Sequence, residues 1–280
     1  MVMIGVFVVQ TISPEHALNP LFILHFPYLF LPAMCMAQTW QFTAMINDYY
    51  DIEIDRIVHP ERPLASGKIS AWRYLQLAIM ISLISLLLSI LLGFLIFILN
   101  ISFVIAALLY SIPPIRLKNR VFGYICVGWA SVVAFLSGVY SPVFWKEGIP
   151  WSSPTVSRAI PFYPDLAVIS MILFSVLSIS PYINAISDYK GDKKGGVKSI
   201  YMIYGLERGK KIVSVLILVL FLTPLLLIHS MWDMIIMVST SFFSVFIFYK
   251  FERYQVIFGI YFLVLIYILT RLLGIISFNF

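Results

Sequence analysis

Eight long apolar segments constrain the fold of this chain more strongly than any other feature of its sequence. An apolar run of about 20 residues is long enough to cross the hydrocarbon core of a bilayer as an α-helix. Backbone polar groups cannot stay unpaired in lipid, so the pattern predicts an all-α, multi-span transmembrane helical bundle. The segments cover residues about 18–46, 74–93, 96–112, 121–144, 165–187, 211–229, 232–249 and 255–276.

The composition excludes a soluble enzyme and a disordered chain. Of the 280 residues, 61% are hydrophobic and 11% are charged, whereas about a quarter of the residues in a soluble domain are charged. Cys35 and Cys126 both lie in apolar segments, so the sequence predicts no disulfide framework. A further apolar stretch at residues 1–12 is too short to span a bilayer, and we expect it to be a ninth helix that is short or lacks its beginning.

The basic residues are concentrated in alternate loops. Threading the segments back and forth puts the loops near 47–73, 112–121, 188–211 and 250–254 on one face, which carries 16 of the 19 Lys and Arg residues. The positive-inside rule predicts that this face is cytoplasmic, and that the loop from Trp145 to Trp151 is external. The net charge of +6 therefore reports membrane orientation, and no nucleic-acid partner is expected.

Two segments on the predicted cytoplasmic face share one polar spacing, Asn-x3-Asp-x3-Asp. Residues separated by four positions lie on one helix face, about 6 Å apart along the axis. Counting the short stretch at 1–12 as the first segment, the two copies follow the second and sixth segments, so their helices run in the same direction, and this predicts a parallel internal repeat. The copies are Asn47, Asp51 and Asp55, and Asn184, Asp188 and Asp192.

This spacing favours a divalent cation over a plain solvated helix end. Carboxylates stacked four residues apart repel each other, and burial increases the cost. Oxygen ligands without nearby His or Cys favour Mg²⁺, which often shares its coordination shell with substrate phosphates. Two such rows facing each other would bind a diphosphate through Mg²⁺. One copy alone would fit an acidic helix end paired with local Lys and Arg equally well.

A third segment on the same face, Tyr110 to Lys118, carries two cations. Pro113 and Pro114 are expected to end the fourth span and to leave Arg116 and Lys118 at the membrane surface. These cations are either snorkelling side chains at a helix end or ligands of a diphosphate, for which the Arg guanidinium is well suited. Further cations could come from two basic loop segments, which contain Arg62 and Lys194.

Together these segments resemble the UbiA superfamily of intramembrane prenyltransferases. Residues 47–55, continued by Arg-Pro-Leu-Ala-Ser-Gly at 62–67, resemble its first signature. Residues 110–118 resemble its Tyr-Ser-x-Pro-Pro-x-Arg-Leu-Lys segment, and residues 188–196 resemble its second Asp-rich signature. Two features depart from the family pattern: the first helix is short, and Ser199-Ile200-Tyr201 replaces a Thr-Leu-Pro-like stretch.

The resemblance implies nine helices around a central, lipid-accessible chamber whose cytoplasmic mouth is covered by the motif loops. It implies Mg²⁺-assisted departure of diphosphate from an allylic prenyl diphosphate, followed by attack of an acceptor on the prenyl cation. Metal ligands would be Asn47, Asp51, Asp55, Asp188 and Asp192, with Asp51, Asp188 and Tyr110 taking part in catalysis. Substrate would contact Arg116 and Lys118, with Arg62 and Lys194 as further candidates.

We therefore expect residues 1–280 to form a single transmembrane prenyltransferase domain. The partners expected are the lipid bilayer, a prenyl diphosphate and a hydrophobic acceptor, for which an aromatic quinone precursor is the first expectation. Glycerol-phosphate lipid and tetrapyrrole acceptors are the alternatives, together with a membrane terpene cyclase. An anion transporter is a further alternative, but the acidic residues of a transporter would lie near the centres of the spans rather than at their ends.

Overall fold

The computed structural model describes Gly5 and residues 26–120, 122–147, 164–195 and 199–272. Within these ranges, side chains are not described at 26–29, 58, 141–147, 164, 187–188, 190–195 and 272. The described ranges contain ten α-helices and no β-strand. The helices are α1 (Phe26–Tyr50), α2 (Ile52–Val58), α3 (Ala71–Leu92), α4 (Phe94–Ser111), α5 (Ile125–Glu147), α6 (Pro164–Gly195), α7 (Ile200–Tyr204), α8 (Leu206–Leu222), α9 (Met231–Phe251) and α10 (Tyr254–Leu272).

The prediction of an all-α membrane protein is confirmed. Six described helices are long and apolar enough to cross a membrane, namely α3, α4, α6, α9, α10 and α8 with the turn that follows it. The helices α1 and α5 correspond to the other two predicted spans. Apart from Gly5, the predicted short segment at residues 1–12 lies outside the described residues.

A single residue, Gly93, separates α3 from α4. Its φ of 128° and ψ of 159° lie in a region open almost exclusively to glycine. The chain therefore leaves one span and enters the next without a loop. Two consecutive helices consequently fit into an apolar stretch that carries no other turn signal.

The chain divides into two compact units. The first contains residues 1–118 and 129–162, and the second contains residues 119–128 and 163–280. In the first unit, α1 packs against α3 and α4. In the second unit, α8 lies against α6, α7 and α9, and α9 also contacts α10. Each unit buries its own apolar core.

A buried polar cluster connects the three packed helices of the first unit. The Thr39 hydroxyl on α1 lies 2.6 Å from the hydroxyl of Ser85 on α3 and donates to the Asn100 side-chain carbonyl on α4 at 2.6 Å. The Asn100 amide donates in turn to the Ser85 hydroxyl at 2.9 Å. All three side chains are fully buried. These bonds fix the rotation of α1, the helix that leads into the first Asn-x3-Asp-x3-Asp segment.

Tyr201 gives a packing role to the sequence stretch that departs from the family pattern. Its side chain is fully buried in the second unit, and its hydroxyl donates to the backbone carbonyl of Tyr182 on α6 at 2.9 Å. Its ring packs directly against Gly209 on α8. The short helix α7 thus joins α6 to α8 through one aromatic side chain.

The contact between Tyr201 and Gly209 predicts that Gly209→Ala destabilises the protein. A Cβ atom at position 209 would lie 2.5 Å from Cδ1 of the Tyr201 ring. Overpacking of this kind costs about 1–3 kcal/mol, so the thermal midpoint of the purified protein should fall. Gly259→Ala is the matched control, because its Cβ would meet nothing within 4 Å. Equal midpoints for the two variants would contradict the packing role of Tyr201.

Candidate functional site

The first Asn-x3-Asp-x3-Asp segment continues α1 through an interruption at Asp51. The helix α1 ends at Tyr50 and α2 begins at Ile52, so Asp51 lies between two helices. The four-residue register is nevertheless kept. The Asp51 amide donates to the Asn47 carbonyl at 3.0 Å, and the Asp55 amide donates to the Asp51 carbonyl at 2.8 Å. With φ of −101° and ψ of 1°, Asp51 occupies the bridge region in which many active-site residues lie.

Asp51 is the centre of an ion-paired cluster. One carboxylate oxygen accepts from the Arg116 guanidinium at 2.5 Å, and the other accepts from the Lys118 ammonium. The same ammonium donates to the side-chain oxygen of Asn47 at 2.8 Å. The guanidinium of Arg116 also donates to the backbone carbonyl of Tyr50 at 3.2 Å. The structure therefore brings together the first signature and the Tyr110–Lys118 segment.

The backbone near Arg116 is bent so that both cations reach Asp51. As predicted, α4 ends before Pro113, and the peptide bond between Pro113 and Pro114 is cis. Arg116 has a φ of 36°, a left-handed conformation that costs a non-glycine residue about 1–2 kcal/mol. Its amide donates to the Ile112 carbonyl at 2.9 Å. Strained backbone of this kind is concentrated at functional sites.

The third member of the segment, Asp55, pairs with a predicted substrate ligand. Arg62 donates to both Asp55 carboxylate oxygens, at 2.9 and 2.8 Å. Its side chain remains 45% exposed, so it reaches this carboxylate from the solvent side. Sequence reasoning missed a neighbouring contact, in which Tyr74 on α3 donates to Asp48 at 3.1 Å. The sequence signal for this contact was the carboxylate of Asp48, directly beside Asn47.

The oxygen atoms of this cluster fit Mg²⁺ chemically. Asn47, Asp51 and Asp55 offer amide and carboxylate oxygens, which are the ligands that Mg²⁺ prefers. The Lys118 ammonium already binds oxygens of Asn47 and Asp51, so this position accepts a cation. Within the described residues, no three His, Cys, Asp or Glu side chains are gathered closely enough to hold a metal by themselves. A metal here would therefore have to exchange with a cation of the protein.

Lys118 is the most enclosed cation of the cluster. Its side chain is 12% exposed. Burial lowers the pKa of its ammonium group below the ordinary value, and the hydrogen bond to Asp51 opposes this shift. A lysine in such a position is held by its acceptors rather than by water. The snorkelling interpretation does not apply to Lys118 in this state of the protein.

The remaining predicted site residues are described in part. The second Asn-x3-Asp-x3-Asp segment lies in the last part of α6, where Asn184 is partly buried. The backbone of Asp188, Asp192 and Lys194 belongs to this helix, but their side chains lie outside the described residues. Tyr110 lies in the last turn of α4 and is also partly buried.

Comparisons with known proteins agree with the fold and identify the family. The sequence model of the UbiA prenyltransferase family matches residues 2–275. A digeranylgeranylglyceryl phosphate synthase of Methanosphaera stadtmanae is 32% identical over 69% of this chain and 64% of its own length. A bacteriochlorophyll synthase 33 kDa chain of Rhodobacter capsulatus is 33% identical over 59% of this chain and 51% of its own length. The aligned regions thus span about half to two thirds of these curated relatives.

A solved structure shares the fold over nearly the whole chain. A UbiA homologue from Archaeoglobus fulgidus, bound to GPP and Mg²⁺, superposes with a TM-score of 0.62. It is 20% identical, and the match covers 95% of this chain and 94% of that one. The family match over residues 2–275, together with the shared fold, shows that this chain belongs to the UbiA prenyltransferase family.

Proposed function

We propose that this protein is an intramembrane prenyltransferase that moves a polyprenyl group from an allylic prenyl diphosphate to a hydrophobic acceptor. The observation that carries the proposal is the cluster of Asn47, Asp51, Arg116 and Lys118 at the end of α1. Amide and carboxylate oxygens lie there within hydrogen-bond distance of a guanidinium and an ammonium group. A polyanionic leaving group needs both kinds of residue. The continuous family match supports residues 1–280 acting as one functional domain.

Mg²⁺ is the proposed cofactor, and its ligands are the residues that share the motif spacing. When bound, the metal neutralises negative charge on the leaving diphosphate. Asn47, Asp51 and Asp55 would hold one ion, and Asp188 and Asp192 would hold a second for the same leaving group. The oxygen-only chemistry of the described ligands supports this assignment, as does the presence of the Lys118 ammonium on the oxygens of Asn47 and Asp51.

The cations and Tyr110 have separate proposed tasks. Arg116 and Lys118 bind diphosphate oxygens and stabilise the charge that develops as the carbon–oxygen bond breaks. Arg62 and Lys194, in the basic loop segments, attract the diphosphate electrostatically. Tyr110, at the end of α4, lies close enough in sequence to this segment to orient the reacting carbon. The apolar spans exclude water, so that the acceptor rather than water captures the prenyl cation.

The acceptor we favour is a glycerol-phosphate lipid. Digeranylgeranylglyceryl phosphate synthases recur among the relatives, and their name specifies a glyceryl phosphate with two geranylgeranyl chains. The bacteriochlorophyll synthase supports a tetrapyrrole as the second candidate. An aromatic quinone precursor, the first expectation from sequence, has no such support among these relatives.

We also propose that the site faces the cytoplasm. The support is the concentration of Lys and Arg in the loops of one face, together with the presence of the Asp51 cluster in those loops. The six apolar helices make this an integral membrane protein. Prenyl donor and lipid acceptor would then both approach from the bilayer.

An acceptor panel tests this function directly. Purified protein, Mg²⁺ and labelled geranylgeranyl diphosphate are incubated with a geranylgeranylglyceryl phosphate, a chlorophyllide, 4-hydroxybenzoate, homogentisate or no acceptor. We expect labelled product with the glycerol-phosphate lipid at a rate at least about 10-fold above the other acceptors. A cyclised hydrocarbon without acceptor would identify a terpene cyclase instead. Release of no diphosphate under any condition would contradict a prenyltransferase.

A further inference from the structure

We propose that Lys118 is an internal cation that holds the metal ligands until Mg²⁺ and diphosphate arrive together, and so makes their binding cooperative. This inference rests on the proposed function. It adds to that function an exchange of binding partners at Lys118. In the free protein Lys118 binds Asn47 and Asp51, and in the loaded protein it binds diphosphate while Mg²⁺ takes its place.

The two roles of Lys118 compete for one ammonium group. Its ammonium contacts both Asn47 and Asp51, and it is nearly enclosed. Oxygens held by this ammonium are not available to a metal at coordination distance. Equally, an ammonium that donates to both Asn47 and Asp51 keeps one of its three donors for a diphosphate.

Mg²⁺ alone or diphosphate alone would leave a charge without a partner. Mg²⁺ binding alone displaces the Lys118 ammonium from Asp51 and leaves it enclosed beside a new positive charge. Diphosphate alone draws Lys118 away and brings a polyanion towards the carboxylates of Asp51 and Asp55. An enclosed charge without a partner costs far more than an exposed one. When both ligands bind, every displaced group gains an opposite charge.

Arg116 supports the exchange without leaving Asp51. Its guanidinium is held by the Tyr50 carbonyl as well as by Asp51. The Nε atom of this guanidinium is buried and has no hydrogen-bond partner among the described residues. Arg116 can therefore stay on Asp51 and use a remaining donor, while the flexible stem of Lys118 moves its ammonium to the diphosphate.

Ligand binding to the purified apo-protein tests the exchange. Titration calorimetry would measure Mg²⁺ alone, inorganic pyrophosphate alone, and pyrophosphate at saturating Mg²⁺. We expect the wild-type protein to bind Mg²⁺ alone weakly and Lys118→Met to bind it at least about 5-fold more tightly. The variant should also lose most of the coupling between the two ligands. Lys118→Gln, which keeps a polar side chain, should behave in the same way.

Lys68→Met is the matched control, because Lys68 is an exposed lysine on the same face. It should retain wild-type affinities and coupling. Complexes of Mg²⁺ with pyrophosphate in solution are the same for every variant, so differences between variants report on the protein. Unchanged or weaker Mg²⁺ binding by Lys118→Met and Lys118→Gln, both folded by circular dichroism, would overturn the exchange. Prenyl transfer by the wild-type protein would then still leave the proposed function intact.

Discussion

Asp51→Asn is expected to lower the rate of prenyl transfer at saturating donor by at least about 100-fold, the scale of loss for a group that stabilises transition-state charge. Asp51 contacts both Arg116 and Lys118 and is the central proposed metal ligand. Asparagine keeps the size of the side chain but removes its charge and one acceptor oxygen. The variant should lose metal binding and misplace both cations at once. Steady-state kinetics with a labelled prenyl diphosphate measure kcat and KM separately.

Glu53→Gln is the control for this variant. Glu53 lies two residues away, is 82% exposed and pairs with Arg56 on the same helix. Its loss should leave kcat within about 2-fold, because an exposed pair of this kind contributes little. A kcat for Asp51→Asn close to that of Glu53→Gln would make the Asp51 cluster a structural ion pair rather than a catalytic one.

The double variant Asp51→Asn/Asp188→Asn tests whether the two motif copies act on one leaving group. If they do, either single change removes most of the catalytic effect, and the second adds much less than its separate loss. Independent helix ends would instead give losses that multiply. This kinetic test needs no assumption about where the Asp188 side chain lies.

Apolar length and motif spacing predicted the parts of this structure that depend on local sequence. The runs of about 20 apolar residues correspond to helices, although α6 continues to Gly195, beyond the predicted end at 187, and the Pro113–Pro114 pair marks the end of α4 as expected. The four-residue spacing placed Asn47 and Asp51 in one hydrogen-bonded register. Each of these features follows from helix geometry or from the missing amide of proline.

Contacts between distant segments could not be predicted in the same way. The sequence put Arg116 and Lys118 beside the acidic row. Their hydrogen bonds to Asp51, however, depend on a left-handed backbone conformation at Arg116, which the residue types there do not predict. The bond between Tyr74 and Asp48 joins residues 26 positions apart. Side-chain pairing of this kind is decided by how helices rotate against each other, and the apolar pattern leaves that rotation open.

Asp233→Asn is expected to destabilise the protein strongly. Asp233 on α9 is fully buried, and its two carboxylate oxygens accept from Arg271 at 2.9 and 3.0 Å. Tyr267 donates to the same carboxylate, and Ser230 forms a reciprocal capping box with it. Removing the charge takes away the carboxylate that pairs with this guanidinium and joins α9 to α10. A fall in the thermal midpoint of roughly 5–10 °C is expected.

Replacing both members of the pair by apolar residues distinguishes the contribution of the ion pair to stability from a simple loss of packing. Arg271→Met alone leaves a buried carboxylate without a cation and should be as damaging as Asp233→Asn. Asp233→Leu/Arg271→Met removes both charges and should recover much of the lost stability, because the main cost is a buried charge without a partner. Thermal midpoints of the purified variants measure this, with Glu53→Gln as an exposed-pair control. If the double variant is as unstable as the sum of its single changes, the pair stabilises α9 and α10 through shape rather than charge. Because Asp233 is fully buried in the protein and is not solvated by water, we expect the electrostatic outcome.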